Sequence, residues 1–193
     1  MSSEKLGRRL EKLPGILSDK TFLTNRGIGN ELGFYIFSYD PAFEPVVTRY
    51  LPRLQEQLLQ RGVRVLEFHL YELILEILRE KSVLDSTFKL EASKGRERVE
   101  KALRKVVRPE GLVAQIEARL SEAHDLVFLT GVGAAYPLVR SHTVLNNLHA
   151  VVDKVPLVMF FPGTYDGQEL RLFDTLKDDN YYRAFPLLPE AAA

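Results

Sequence analysis

The segment Thr130-Gly131-Val132-Gly133 follows an apolar run and precedes a helical pattern. Glycines so placed let backbone approach a phosphate, and the helix N-terminus behind them favours an anion. Tyr136 stands where the third glycine of a dinucleotide loop belongs, and no GxxxxGKS or GxxxxGKT occurs in the chain. Without the lysine and the magnesium-binding hydroxyl of such a loop, ATP hydrolysis is not expected, and the two glycines read first as a tight turn. Arg140, a few residues on, can fork onto a phosphate or a partner's carboxylate, or cap a neighbouring loop. Glu67 and His69 lie two apart on an extended run and share one face, as an acid/base pair would. The plainer reading of both is a polar strand end satisfied by nearby backbone. Asp40 ends an earlier apolar run. Ligands of open parallel sheets sit beyond the carboxyl ends of the strands. Asp40, His69, Gly131, Gly133 and Arg140 therefore mark the crevice where an anion or other ligand would be sought.

Residues 94–108 set Lys94, Arg96, Arg98, Lys101, Arg104, Lys105 and Arg108 against Glu97 and Glu100. The spacing predicts the pairs Glu97–Lys101 and Glu100–Arg104 on a solvated helix face. A sharper reading turns Arg96, Arg98, Lys101, Arg104 and Lys105 toward nucleic acid, although no aromatic residues are interleaved to stack on bases. His142, Asn146 and His149 recur on one helical face, but the outer imidazoles are ~10 Å apart along the axis. With no cysteine or carboxylate beside them, a polar ridge is expected and no metal. Toward the C-terminus, Tyr165, Asp166, Tyr181, Tyr182 and Arg183 lie in or beside turn-rich segments, and tyrosine and arginine there can anchor a protein contact. Alternation puts Tyr181 and Arg183 on one strand face and Tyr182 on the other, so part of this set is expected in the core. No GxSxG, HExxH or paired-cysteine motif occurs. No catalytic residue or cofactor is assigned, and the chain is not expected to be an enzyme.

These residues need elements to hold them. Residues 4–13 predict a helix with Leu6, Leu10 and Leu13 inside, Arg8, Arg9 and Lys12 outside, and Pro14-Gly15 as its end. Residues 25–30 predict a loop. Strands are predicted at 32–39, 63–69, 125–130, 155–161 (ended by Pro162-Gly163) and 181–188, where Pro186 marks an edge. Helices are predicted at 42–61, with Pro52 kinking or dividing it, and at 70–81, 96–107, around Leu112, Ile116 and Leu120, and from Pro137 to His149. Asp166-Gly167 predicts a tight turn. Residues 170–176 fit a strand and a helix equally. Continuous apolar strands alternating with helices predict an α/β fold with a mainly parallel sheet covered on both faces. Helices within about 82–122 interrupt the alternation as an insertion. The expected organisation is one domain over 1–189 with a disordered tail at 190–193.

The bulk composition narrows the function classes. The chain has 193 residues, 26 basic against 26 acidic, and no cysteine. A balanced charge gives no whole-molecule attraction to nucleic acid or anionic membrane, and the missing cysteines exclude disulfides and thiolate metal sites. No apolar stretch approaches the ~20 residues that span a bilayer. A cytoplasmic protein without membrane contact is expected.

Longer motifs carry a resemblance. FLTGVGAAYPLVRSHTVLNNL (128–148), VPLVMFFPGTYDG (155–167) and LFDTLKDDNYYRAF (172–185) strongly resemble the BrxB family, as do TNRGIGNELGFYIFSYDP (24–41) and VLEFHLYELILEIL (65–78). The resemblance covers nearly the whole chain, with 82–122 undiagnostic. It implies a non-catalytic role in BREX, a bacterial phage-exclusion system, beside an ATPase, a DNA methyltransferase and PglZ, the partner it most favours. It carries over no catalytic residues. The element order also resembles a P-loop NTPase-like or Rossmann-like core without a Walker A motif, with Phe37-Ser38-Tyr39-Asp40-Pro41 where the phosphate loop would be; this is analogy of fold alone. Direct nucleic-acid binding, and a nucleotide-binding enzyme built on the crevice, stay open as alternatives.

Overall fold

A computed structural model describes residues 2–24, 33–121, 123–148, 151–152, 155–178 and 184–188, with only the backbone of His142 and Asp178. Strands β1 (Phe34–Tyr39), β2 (Val65–His69), β3 (Leu126–Thr130), β4 (Leu157–Tyr165) and β7 (Ala184–Pro186) pair in parallel in the order β2-β3-β4-β1-β7. They read as apolar runs because both faces are covered; β3 is buried at every position. Ile36, Val127, Leu129, Met159 and Phe161 point into one layer with α4 (Leu70–Glu80), α7 (Pro109–Glu117), α8 (Val132–Ala135) and α9 (Ser141–Leu148). Phe37, Tyr39, Phe128, Val158 and Phe160 point into the other, with α1 (Ser3–Leu17), the short α2 (Lys20–Thr24) and α3 (Glu44–Gln60). The fold is α/β, a mostly parallel open sheet flanked by helices, as the sequence predicts. Among the described residues, no helix is long and apolar enough to cross a membrane.

Several boundaries differ from expectation for identifiable reasons. α1 does not stop at Pro14-Gly15 but runs on to Leu17. Proline removes the N–H that would bond the carbonyl four residues back. The Tyr50 hydroxyl of α3 donates to that carbonyl, Leu10 O, at 2.9 Å, so the helix continues without an orphaned acceptor. Arg9, expected outside, is fully buried. Its Nη1 donates to Ser38 O at 2.7 Å and its Nη2 to Leu188 O at 3.1 Å. Its guanidinium carbon lies 4.6 Å from the Phe37 ring centroid. α3 passes through Pro52 as one helix.

β4 does not end at Pro162-Gly163. It continues to Tyr165 and turns antiparallel onto β5 (Leu170–Leu172), which pairs with β6 (Leu176–Asp178). A Cβ at Gly163 would run into the Arg171 carbonyl oxygen, so only glycine allows that approach. The undecided stretch 170–176 is thus a strand, a turn and the start of a second strand. Phe173 and Asp174 make the turn at φ 55° and 60°, the left-handed pair that a type I′ turn needs. The Asp166 carboxylate accepts from Gln168 N and Glu169 N at 2.9 and 2.8 Å, forming the predicted tight turn.

Within 82–122, α6 (Arg96–Val106) and α7 bury their seams, Val99 with Leu103 and Leu112 with Ile116. A further helix, α5 (Leu84–Lys94), packs on α6 and α4 with no buried residue of its own. Its weak apolar pattern gave no signal for it. The helix expected from Pro137 starts at Ser141 instead, after a turn containing a cis Tyr136–Pro137 bond. β7 is an edge strand, as Pro186 predicts, and its described part begins at Ala184. Residues 25–30 and the tail 190–193 lie outside the described residues.

Candidate functional site

The crevice expected at the strand ends exists as a cleft of about 190 Å³ whose lining includes Tyr39, Glu44, Thr48, Glu67, His69 and Gly131. Two pairs of its polar groups bond each other, Tyr39 with Glu44 and Thr130 with Glu67. Beside it, the Asp40 carboxylate accepts from Ala42 N at 2.9 Å, and that N–H holds the acid below the usual carboxylate range. Asp40 caps a 3₁₀ turn, Pro41–Phe43, immediately after β1. The P-loop comparison puts a phosphate at this place, where the chain already carries an acid that repels one. Phe37, Ser38 and Tyr39 belong to β1 rather than to a loop.

His69 caps α4, its Nδ1 accepting from Glu72 N at 3.4 Å. Its ring lies against Gly131, where a Cβ would enter the imidazole, and Gly131 adopts φ 67°. That glycine serves the turn and the histidine. Gly133 serves packing, since a Cβ there would meet the Phe173 ring at 3.0 Å and Pro162 at 3.1 Å. Glu67 accepts from the Thr130 hydroxyl at 2.6 Å and from the Gln55 amide. The expected Glu67/His69 face therefore exists, but each residue is tied to a structural partner.

The Tyr39 hydroxyl donates to Glu44 Oε2 at 2.7 Å. Burial, then the Glu44 carboxylate, holds this phenol above its ordinary range. Its contribution to stability is fully present below the unfolded pKa of ~10. Above that, the unfolded chain ionises before the folded one, and the contribution is lost as pH rises. Urea midpoints should therefore fall between pH 9 and 11 in the native chain and fall less in Tyr39→Phe; parallel slopes would remove Tyr39 as the cause.

Arg140 does not join this crevice. It is exposed, precedes α9, and lines a separate cleft of about 190 Å³ with Tyr136, Ser141, Leu172, Thr175, Leu176 and Lys177. Sequence reading missed Ser141, Thr175 and Lys177 because the β5–β6 hairpin that brings the last two there was unresolved between strand and helix.

On α6, Arg96, Arg98, Lys101, Arg104 and Lys105 are all exposed. Glu100 pairs with Arg104 at 2.8 Å. The expected Glu97–Lys101 pair does not form among the described residues. Arg98, Lys101 and Lys105, at i, i+3 and i+7, make one cationic ridge.

Tyr165 is a correction to the expected contact surface. It is buried, and its hydroxyl donates to Ala184 O at 2.7 Å. A buried ring whose hydroxyl is spent on a β7 carbonyl is placed for packing rather than for anchoring a partner. Asp166 is exposed beside it. Tyr181, Tyr182 and Arg183 lie outside the described residues, as does His149. Among the described residues, no three His, Asp or Glu side chains are arranged to hold a metal ion.

Residues 66–187 match the family model of BREX protein BrxB. A BREX protein BrxB from Bacillus cereus (strain H3081.97) is 48% identical over 188 residues, covering 95% of this chain and 98% of that protein. A BREX protein BrxB from Escherichia coli O9:H4 (strain HS) is 33% identical over 183 residues, covering 94% and 91%. No solved structure matches the chain.

Proposed function

Because the chain belongs to the BrxB family of BREX proteins, we propose that it is a non-catalytic accessory subunit that serves phage exclusion by docking another BREX protein, PglZ foremost. The supporting observation is the state of the strand-end crevice, where Asp40, His69, Glu67 and Tyr39 each make a structural hydrogen bond. Groups committed to caps and strand contacts are poor acids, bases or phosphate ligands. Tagged chain co-expressed with each BREX component in turn should recover PglZ in preference to the others. Recovery of none of them would overturn the docking role. ATP turnover that survives purification and disappears in Glu67→Gln would overturn the non-catalytic one.

The α6 ridge favours a second reading, direct contact with nucleic acid. Three adjacent cations on one exposed face attract a phosphate backbone without base selectivity. Duplex DNA should bind weakly, regardless of sequence, and be lost near 150 mM salt, where the Debye length is ~8 Å. Arg98→Glu with Lys101→Glu should abolish the remainder. Nanomolar, sequence-selective binding at that salt would place this reading first.

A further inference from the structure

We propose that the cleft between α9 and the β5–β6 hairpin is a carboxylate site that takes an acidic side chain or a C-terminus of a polypeptide partner; that the ligand is a polypeptide rests on the docking role above. The first intrahelical bond of α9 runs from Val144 N to Arg140 O. The N–H groups of Ser141, His142 and Thr143 therefore have no acceptor within the helix, and they present partial positive charge. A second observation is independent of the helix end. Ser141 is only 4% exposed, lines the cleft, and makes no hydrogen bond among the described residues. Its hydroxyl is a donor whose access is through the cleft.

Charge sets the ligand class. Arg140 stands at the rim and holds no ion pair among the described residues. Lys177, across the cleft, is shared with Glu169 at 3.2 Å. With that lysine already engaged, the single Arg140 cation suits one negative charge better than a dianionic phosphate. Guanidinium geometry also matches a carboxylate with two parallel bonds. The walls point to a polypeptide. Tyr136, Leu172 and Leu176 line the cleft. Phe173 packs edge-on against Tyr136 with centroids 6.3 Å apart. Phe173 and Leu176 are each 37% exposed at this margin. An acid flanked by apolar residues would meet both the cationic and donor groups and the apolar walls of the cleft.

The test is amide NMR on the full chain, titrated with N-acetyl-Leu-Glu-Leu amide, its glutamine counterpart, and inorganic phosphate. The glutamate peptide should move the Ser141–Thr143 amides saturably in the millimolar range. The glutamine peptide should bind at least ten-fold more weakly, as should the glutamate peptide on Arg140→Glu. Ser141→Ala should weaken it several-fold. Arg140→Gln replaces Arg140→Glu if the latter disturbs distant amides. Equal shifts from both peptides, or no saturable shift from the glutamate peptide, would overturn the site. Shifts from phosphate but not from the peptide would make it a phosphate site and also overturn the proposal. A silent cleft leaves the accessory role standing, whereas peptide binding with no BREX partner recovered overturns that role and keeps the cleft.

Discussion

Arg9→Met should lower the unfolding free energy by about 4 kcal/mol, a large share of the ~5–15 kcal/mol that holds a typical domain. Methionine keeps the aliphatic stem and removes the guanidinium. That leaves Ser38 O and Leu188 O without the donors that reach them at 2.7 and 3.1 Å. Each part-buried acceptor so orphaned costs up to ~1–3 kcal/mol, and the lost stacking on Phe37 adds up to ~1–2 kcal/mol. Some buried ion pairs can be replaced by apolar residues at no loss. That escape is closed here, because the partners are backbone carbonyls and cannot be mutated away. Arg9→Lys should fall between, since one ammonium cannot fork to two acceptors and stack on a ring together. Arg8→Met, on the exposed side of the same helix, should change stability by less than ~0.5 kcal/mol. Urea denaturation of the three variants decides the matter. A native midpoint for Arg9→Met would mean that the buried guanidinium does not hold α1 to the sheet.

Tyr165→Ala should cost about 4 kcal/mol, as large aromatic truncations in cores do. Tyr165→Phe should cost only ~1 kcal/mol, the worth of its hydroxyl's bond to Ala184 O. Because the ring is enclosed, Tyr165→Phe should recover PglZ as well as the native chain does. A folded Tyr165→Ala with an unchanged melting temperature and lost PglZ recovery would contradict this and return the tyrosine to the contact surface.

Local pattern carried most of the fold. The Leu6, Leu10, Leu13 stripe and the Val47, Leu51, Leu54, Leu58 stripe are the buried faces of α1 and α3. The apolar runs are the parallel strands. What local pattern missed depends on partners distant in sequence. Pro14 reads as a helix end unless one knows that Tyr50 will reach Leu10 O. Arg9 reads as surface unless two carbonyls, one of them near the C-terminus, are already in place. Pro162-Gly163 reads as a strand end, whereas Gly163 is where a backbone crosses too closely for any side chain. At the site, the strand-end crevice was legible in outline. Its internal hydrogen bonds were not, because Gln55 and Thr130 come to Glu67 from different elements. Arg140 is singled out by its chemistry, but its surroundings come from a hairpin whose first turn residue, Phe173, is a poor signal for left-handed backbone.

The position of β1 between β4 and β7 sets the order of events on the ribosome. Phe34 pairs with Leu157 on one side and Ala184 on the other, so both neighbours of the first strand are translated more than a hundred residues after it. At ~5–20 residues per second, β1 waits roughly ten seconds with neither edge paired. Only β2 and β3 can associate in that interval. Pairing across such separations is slow and exposes nascent chains to one another. A ribosome stalled before residue 157 therefore presents FYIFSY, an aromatic strand with two open edges, to every neighbouring chain on the same message.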